Sequence, residues 1–114
     1  PPELDSTINR ILASHKTVRG VMICSREGPI IRQAGSAFEG DLGKKYAVGV
    51  KKVVDSCKAG LIDDVFGGTG GESASVGFQW LDELKFLRIR TKRHELMITP
   101  DERYLLIVIQ DPTQ

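Results

Sequence analysis

A chain of 114 residues, 40% apolar and 27% charged, has the material for one modest hydrophobic core, and we read residues 1–114 as a single domain. Its net charge of +1 gives no bulk electrostatic reason to expect a nucleic-acid or membrane partner, and its longest apolar run falls far short of a bilayer span, which takes roughly 20 residues. Cys24 and Cys57 sit in apolar periodic segments, away from any CxxC or Cys/His spacing. They read as reduced core residues of a cytosolic protein.

No stretch with the pattern of a secretion signal precedes the first periodic residues, and the Pro1-Pro2 opening, lacking methionine, is read as a trimmed start. Leu4, Ile8, Ile11 and Leu12 recur at helical spacing among Asp5, Ser6, Asn9 and Arg10, which predicts an amphipathic helix from near Leu4 to near Lys16. Val18 to Arg26 follows as a strand. Its consecutive Val21, Met22, Ile23 and Cys24 require cover on both faces. Glu27-Gly28 is a tight turn with glycine supplying the positive φ, and Pro29 to Gln33 returns as a short strand whose proline suits a strand start or a sheet edge.

Gly35 to Gly40 is a loop, with Asp41 placed to cap the next helix. From Leu42 onward, Tyr46, Gly49, Val50, Val53 and Cys57 continue one apolar stripe, widened by Ala47, Val48 and Val54. That is more apolar surface than one sheet face needs. Gly43 and Gly49 each cost about 1 kcal/mol in a helix interior relative to alanine. The cost predicts the close approach of another backbone, and a second copy of this helix is the candidate.

Residues 59–84 form an extended glycine-rich connection containing GGTGG at Gly67 to Gly71 and the single tryptophan, Trp80. The glycine run lacks the GK[ST] ending of a P-loop and the strand-to-helix context that would make it a phosphate cradle. Gly67 to Ser75 is expected to be mobile, because it cannot bury enough apolar surface to offset its ordering entropy. Phe78 to Leu84, with Trp80 and Leu81, is expected to dock.

In Phe86 to Thr91, Leu87 and Ile89 alternate with Arg88 and Arg90, the pattern of a strand buried on one face. Thr91 to His94 is a tight connection to a second run, Leu96 to Thr99. The predicted register sets Leu87 beside Ile98, Ile89 beside Leu96 and Arg90 opposite Glu95, an opposite-charge pair. Pro100 to Arg103 is a turn with proline at its second position and Asp101 able to bond its own backbone. Tyr104 to Ile109 is apolar without alternation, so that strand should be central.

The run FLRIRTKRHELMITPDERYLLIVIQDP closely resembles the C-terminal strands of the roadblock/LC7 dynein light chains, with weaker agreement through the first two strands and both helices. The glycine-rich connection is longer than its counterpart in that pattern. The resemblance implies an α+β fold, a five-stranded antiparallel sheet with a helix on each face. It also implies a homodimer with a second roadblock-type light chain, which clamps dynein intermediate chains in the cytoplasm, on the microtubule cytoskeleton or in a cilium. Carried over by position, the dimer contact would use Tyr46, Gly49, Val50 and Val53 of the second helix with Phe86, Leu87, Arg88, Ile89 and Arg90 of the third strand. The residues meeting the intermediate chain are not specified by the resemblance. Distant relatives with this fold point to an alternative, a regulator or scaffold subunit for small GTPases.

No catalytic, metal or cofactor site is expected. Ser25, Ser56 and Ser73 have no companion histidine and carboxylate, His15 and His94 read as surface residues, and no carboxylate pair is placed for acid/base work. The basic patch of Arg88, Arg90, Lys92 and Arg93 reads as a solvated strand face and turn.

Overall fold

The periodic segments become α1 (Pro2–Ser14), β1 (Val18–Ser25), β2 (Ile30–Ala34), a short 3-10 turn (Ser36–Phe38), α2 (Leu42–Cys57), β3 (Leu87–Arg90), β4 (Glu95–Pro100) and β5 (Tyr104–Gln110). The computed structural model describes residues 2–66 and 82–112. The strands form one antiparallel sheet in the order β2-β1-β5-β4-β3, which puts the unalternating apolar strand β5 at the centre as its composition requires.

Alternation along the strands divides the core into two layers. On one face Met22, Cys24, Ile98, Leu105, Ile107 and Ile109 pack with Phe38 and with Ala47, Val50 and Val54 of α2. On the other, Val21, Ile23 and Val108 pack with Ile8 of α1. The fold is therefore α+β with a helix on each face. Burial pushes the Cys24 thiol up to about 11, so it stays protonated, and both cysteines are free.

The predicted register holds at Leu87↔Ile98, Ile89↔Leu96 and Arg90↔Glu95. The ion pair across it is different: Glu95 pairs with Arg88, one pleat back on the same face, at 2.7 Å. A diagonal neighbour is within reach of a long guanidinium side chain, and there it donates two hydrogen bonds to one carboxylate oxygen. Gln110, which faces Glu95 from β5, donates to the other oxygen at 2.7 Å.

Most element ends shift by a residue or two, and three differences have a physical reason. Asp41 precedes α2, but its backbone is already helical (φ −75°, ψ −11°) and its side chain makes no capping bond, which needs an extended residue. Pro100 is the last residue of β4, paired with Leu105, so the turn begins at Asp101. The Asp101 carboxylate accepts the N–H groups of Arg103 and Tyr104 at 2.9 and 2.7 Å, as its side chain predicts.

The helix also does not stop at Cys57. Lys58 keeps helical dihedrals and donates to the carbonyls of Asp55 and Val54, and the chain runs on as a π-helix over Lys58–Phe66. The connection expected from residue 59 is thus helical for its first part. The expectations for Gly67 to Ser75 and for Phe78 to Leu81 lie outside the described residues, while Leu84 packs against the α2-side core.

Glu95 is 2% exposed, and the hydrogen bonds from Gln110 and then Arg88 hold its carboxyl below the ordinary carboxylate range. A group depressed on folding contributes stability above its unfolded pKa and loses it as pH falls through the folded value. Glu27, bonded by the Ser25 hydroxyl, Asp55 by Lys51 and Asp111 by Arg19 shift in the same direction. Glu95→Gln should therefore lose less stability on acidification than the parent chain. Urea titrations between about pH 5 and pH 2 read the difference, and superimposable acid limbs would remove Glu95 from the account.

Candidate interaction surface

The stripe of Leu42, Tyr46, Gly49 and Val53 follows helical spacing, but only part of α2 fits against its own sheet. Leu42, Val48 and Val53 remain exposed, Val53 at 41%. Tyr46 is held by an edge-on contact with Phe38, ring centroids 5.3 Å apart at 76°. Between this stripe and the outer strands lies a groove of about 380 Å³, lined by Leu42, Lys45, Tyr46, Gly49, Val50, Val53, Ile89 and Leu96. It opens beside β3, the outermost strand on that side of the sheet.

The structure brings Tyr46, Gly49, Val50, Val53 and Ile89 together on this groove. Leu87 and Ile89 pack against the α2-side core. By strand alternation Phe86, Arg88 and Arg90 face the opposite side of the sheet, with Phe86 52% exposed. They join the α2 stripe only through the backbone of the edge strand.

Val50 needs correction as an interface anchor. It is 4% exposed and belongs to the monomer's own core, so it forms the floor of the groove and has little surface to offer a partner. Leu42 and Val48 take its place at the surface. Leu42 was legible one turn before Tyr46 in the same stripe, whereas Lys45 and Leu96 join the groove only through the packing of α2 on β4.

The two helix glycines separate in the same way. A Cβ at Gly43 would fall 3.0 Å from the Phe38 carbonyl oxygen and against the Gln33 amide, so the backbone it meets is its own. Apart from its own helix backbone, a Cβ at Gly49 would meet no atom of the described residues within 4 Å. Among the described residues, no close packing calls for that glycine.

Among the described residues no group of three or more His, Cys, Asp or Glu side chains could hold a metal ion, and no helix is long and apolar enough to cross a membrane. The surface offers apolar contact flanked by lysines and, among the described residues, the outer edge of β3.

No protein-family model matches the chain. Solved structures do. The gliding protein MglB from Thermus thermophilus superposes with a TM-score of 0.65 at 14% identity, over 93% of this chain and 69% of that one. MglB solved in a tetrameric arrangement gives 0.68 at 14% identity, over 96% and 71%. A roadblock/LC7 domain from Streptomyces avermitilis gives 0.58 at 10% identity, over 83% and 67%. The chain has the roadblock/LC7 fold. The strands that carry the sequence resemblance are β3, β4 and β5, which run from one edge of the roadblock sheet to its centre. The groove lies on the α2 face of that roadblock sheet, beside its β3 edge.

Proposed function

We propose that the chain is a non-catalytic roadblock-fold subunit that self-associates and presents a composite surface to a partner protein. The observation carrying this reading is the apolar groove between α2 and β3, which no described residue fills, beside the outer edge of the described sheet. A monomer that exposes Leu42, Val48 and Val53 along one helix needs a protein surface to cover them. The edge strand offers ladder hydrogen bonds to the same neighbour.

Two partner classes follow. The likeness to bacterial gliding proteins and a bacterial roadblock domain supports a regulator or scaffold subunit for small GTPases, and we place this first. The second reading is a dynein light chain bound to intermediate chains on microtubules. It is favoured by one specific observation, the run FLRIR to IVIQDP that forms β3, β4 and β5. We place the chain in the cytoplasm under the first reading, and in the cytoplasm, on the microtubule cytoskeleton or in a cilium under the second.

Affinity purification of the full chain with mass spectrometry, followed by reconstitution with the purified partner, separates the readings. Ras-like GTPases that bind directly support the first, dynein intermediate chains the second. Recovery of neither class, with a melting temperature that rises with GTP or ATP, would replace both with a nucleotide-binding role.

A further inference from the structure

Antiparallel pairing brings one end of β1, β5, β4 and β3 to a common rim. Val18 opens β1 opposite Gln110, Gln110 stands opposite Glu95, and Glu95 opposite Arg90. Just beyond these residues lie two connections, the α1–β1 loop with Lys16 and the β3–β4 turn with Lys92 and Arg93. Neighbouring strands are about 4.8 Å apart, so the two connections stand roughly 10–15 Å from each other. Both are pinned. The Thr91 N–H donates to the His94 carbonyl at 2.8 Å and the Thr91 hydroxyl accepts the His94 N–H at 3.1 Å, which closes the turn and leaves Lys92 and Arg93 at its tip. On the other side the Val18 N–H donates to the His15 carbonyl at 3.1 Å and the Asp111 N–H to that of Thr17 at 2.9 Å, which fixes the backbone around Lys16. Cations held on a closed backbone lose less freedom when something binds them.

Lys16, Arg90, Lys92 and Arg93 are exposed, and none of them makes an ion pair among the described residues. The carboxylates beside them are already engaged. Arg19 donates to Asp111 at 2.6 Å, and Arg88 and Gln110 donate to Glu95, each at 2.7 Å. Four positive charges thus stand together on a chain whose net charge is +1, and the remainder of the chain is net negative. Such a local excess of one sign attracts an anion at close range without making the whole protein a binder of polyanions.

We infer that this rim is a second docking surface, which takes an extended acidic segment of a partner protein with carboxylates on alternate residues. Alternate side chains of an extended segment lie on one side about 6.5–7 Å apart, so three of them span the distance from Lys16 to Arg93. Arg90 faces the α1 side of the sheet by strand alternation, whereas the groove lies on the α2 side, so the two surfaces are separate. A nucleic acid or a membrane fits the rim less well. Neither connection contains Phe, Tyr or Trp to stack on a base, and neither holds a large exposed apolar residue to enter a bilayer. A long polyanion would also run onto the negative remainder of the chain, which a short acidic segment does not reach.

The inference rests on the partner-binding role proposed above, but not on the groove that carries it. The probe is a fluorescent synthetic peptide with glutamate at alternate positions among serines, titrated with the full chain in low salt and followed by anisotropy. The parental chain should bind it, and the same peptide with glutamine in place of glutamate should not bind. Lys92→Glu with Arg93→Glu should weaken binding on the order of tenfold, since two attractive contacts turn repulsive. Lys92→Gln with Arg93→Gln should fall between, and Lys16→Glu should weaken binding in the same direction. Lys85→Glu with Arg103→Glu makes the same change of net charge at the far end of the sheet and should leave the affinity at its parental value. Circular dichroism and sedimentation check that each variant keeps its fold and association state. An equal loss in the two charge-reversed double variants, or no loss in Lys92→Glu with Arg93→Glu, would overturn the inference. So would tighter binding of a single-stranded oligonucleotide, or of vesicles containing phosphatidylserine, than of the peptide. These results would leave the groove and its role standing. Val53→Glu acts on the groove alone and should bind the peptide as the parental chain does, and its failure to do so would move the peptide off the rim.

Discussion

Ile107→Ala is expected to lower stability by about 2–5 kcal/mol, through the lost transfer energy of the removed carbons and the cavity they leave. Ile107 is 0% exposed, sits mid-way along the central strand β5 and packs into the α2-side layer between Met22 of β1 and Ile98 of β4. Neighbours on both flanking strands are held by their own hydrogen-bonded ladders, so the site has little freedom to collapse. Small domains have only about 5–15 kcal/mol to lose. Urea denaturation of the purified variant measures the difference, and a loss below about 1 kcal/mol, under the range for buried truncations, would contradict the central placement of β5.

Placing a glutamate on α2 should have two different outcomes one turn apart. At Val50, 4% exposed and in the core, Val50→Glu introduces an uncompensated buried charge, which costs on the order of 3–5 kcal/mol, and the chain should unfold or aggregate. At Val53, 41% exposed, the monomer tolerates the charge. In a two-fold pair the same residue enters the seam twice, and two like charges there cost several kcal/mol. Val53→Glu should therefore keep the parental circular dichroism spectrum and sediment as a monomer. A folded Val53→Glu dimer of parental affinity would move the interface off this face, and a folded Val50→Glu would remove Val50 from the core.

The strands were legible because their patterns are one-dimensional. The alternation of Leu87, Arg88, Ile89 and Arg90 gave both the face and the register of β3, and the unbroken run Leu105 to Ile109 required a central position. What the sequence left open depends on the third dimension. The stripe of α2 lies on the helix that the structure shows, yet spacing alone could not say that Val50 turns into the monomer while Val53 turns out, since both lie within one broad apolar arc. Arg90 is opposite Glu95 in register, but the reach of the Arg88 side chain decided the ion pair. The composition from Ala59 onward reads as a connection; the helix passes through Ala59 and Gly60 as a π-helix, where a local pattern competes with the continuation of hydrogen bonds from Val54 and Asp55.

The placement of β5 between β1 and β4 has a kinetic meaning. The first strand pairs along its length with the last, from Val18↔Gln110 to Ser25↔Tyr104, and Arg19 reaches Asp111 across 92 residues of sequence. On a ribosome, α1 and β1 emerge long before the strand that completes their layer exists. Until β5 is released they have only β2 to pair with, and loop closure over most of the chain must precede the contacts that reward it. Folding of this sheet thus waits on the synthesis of β5.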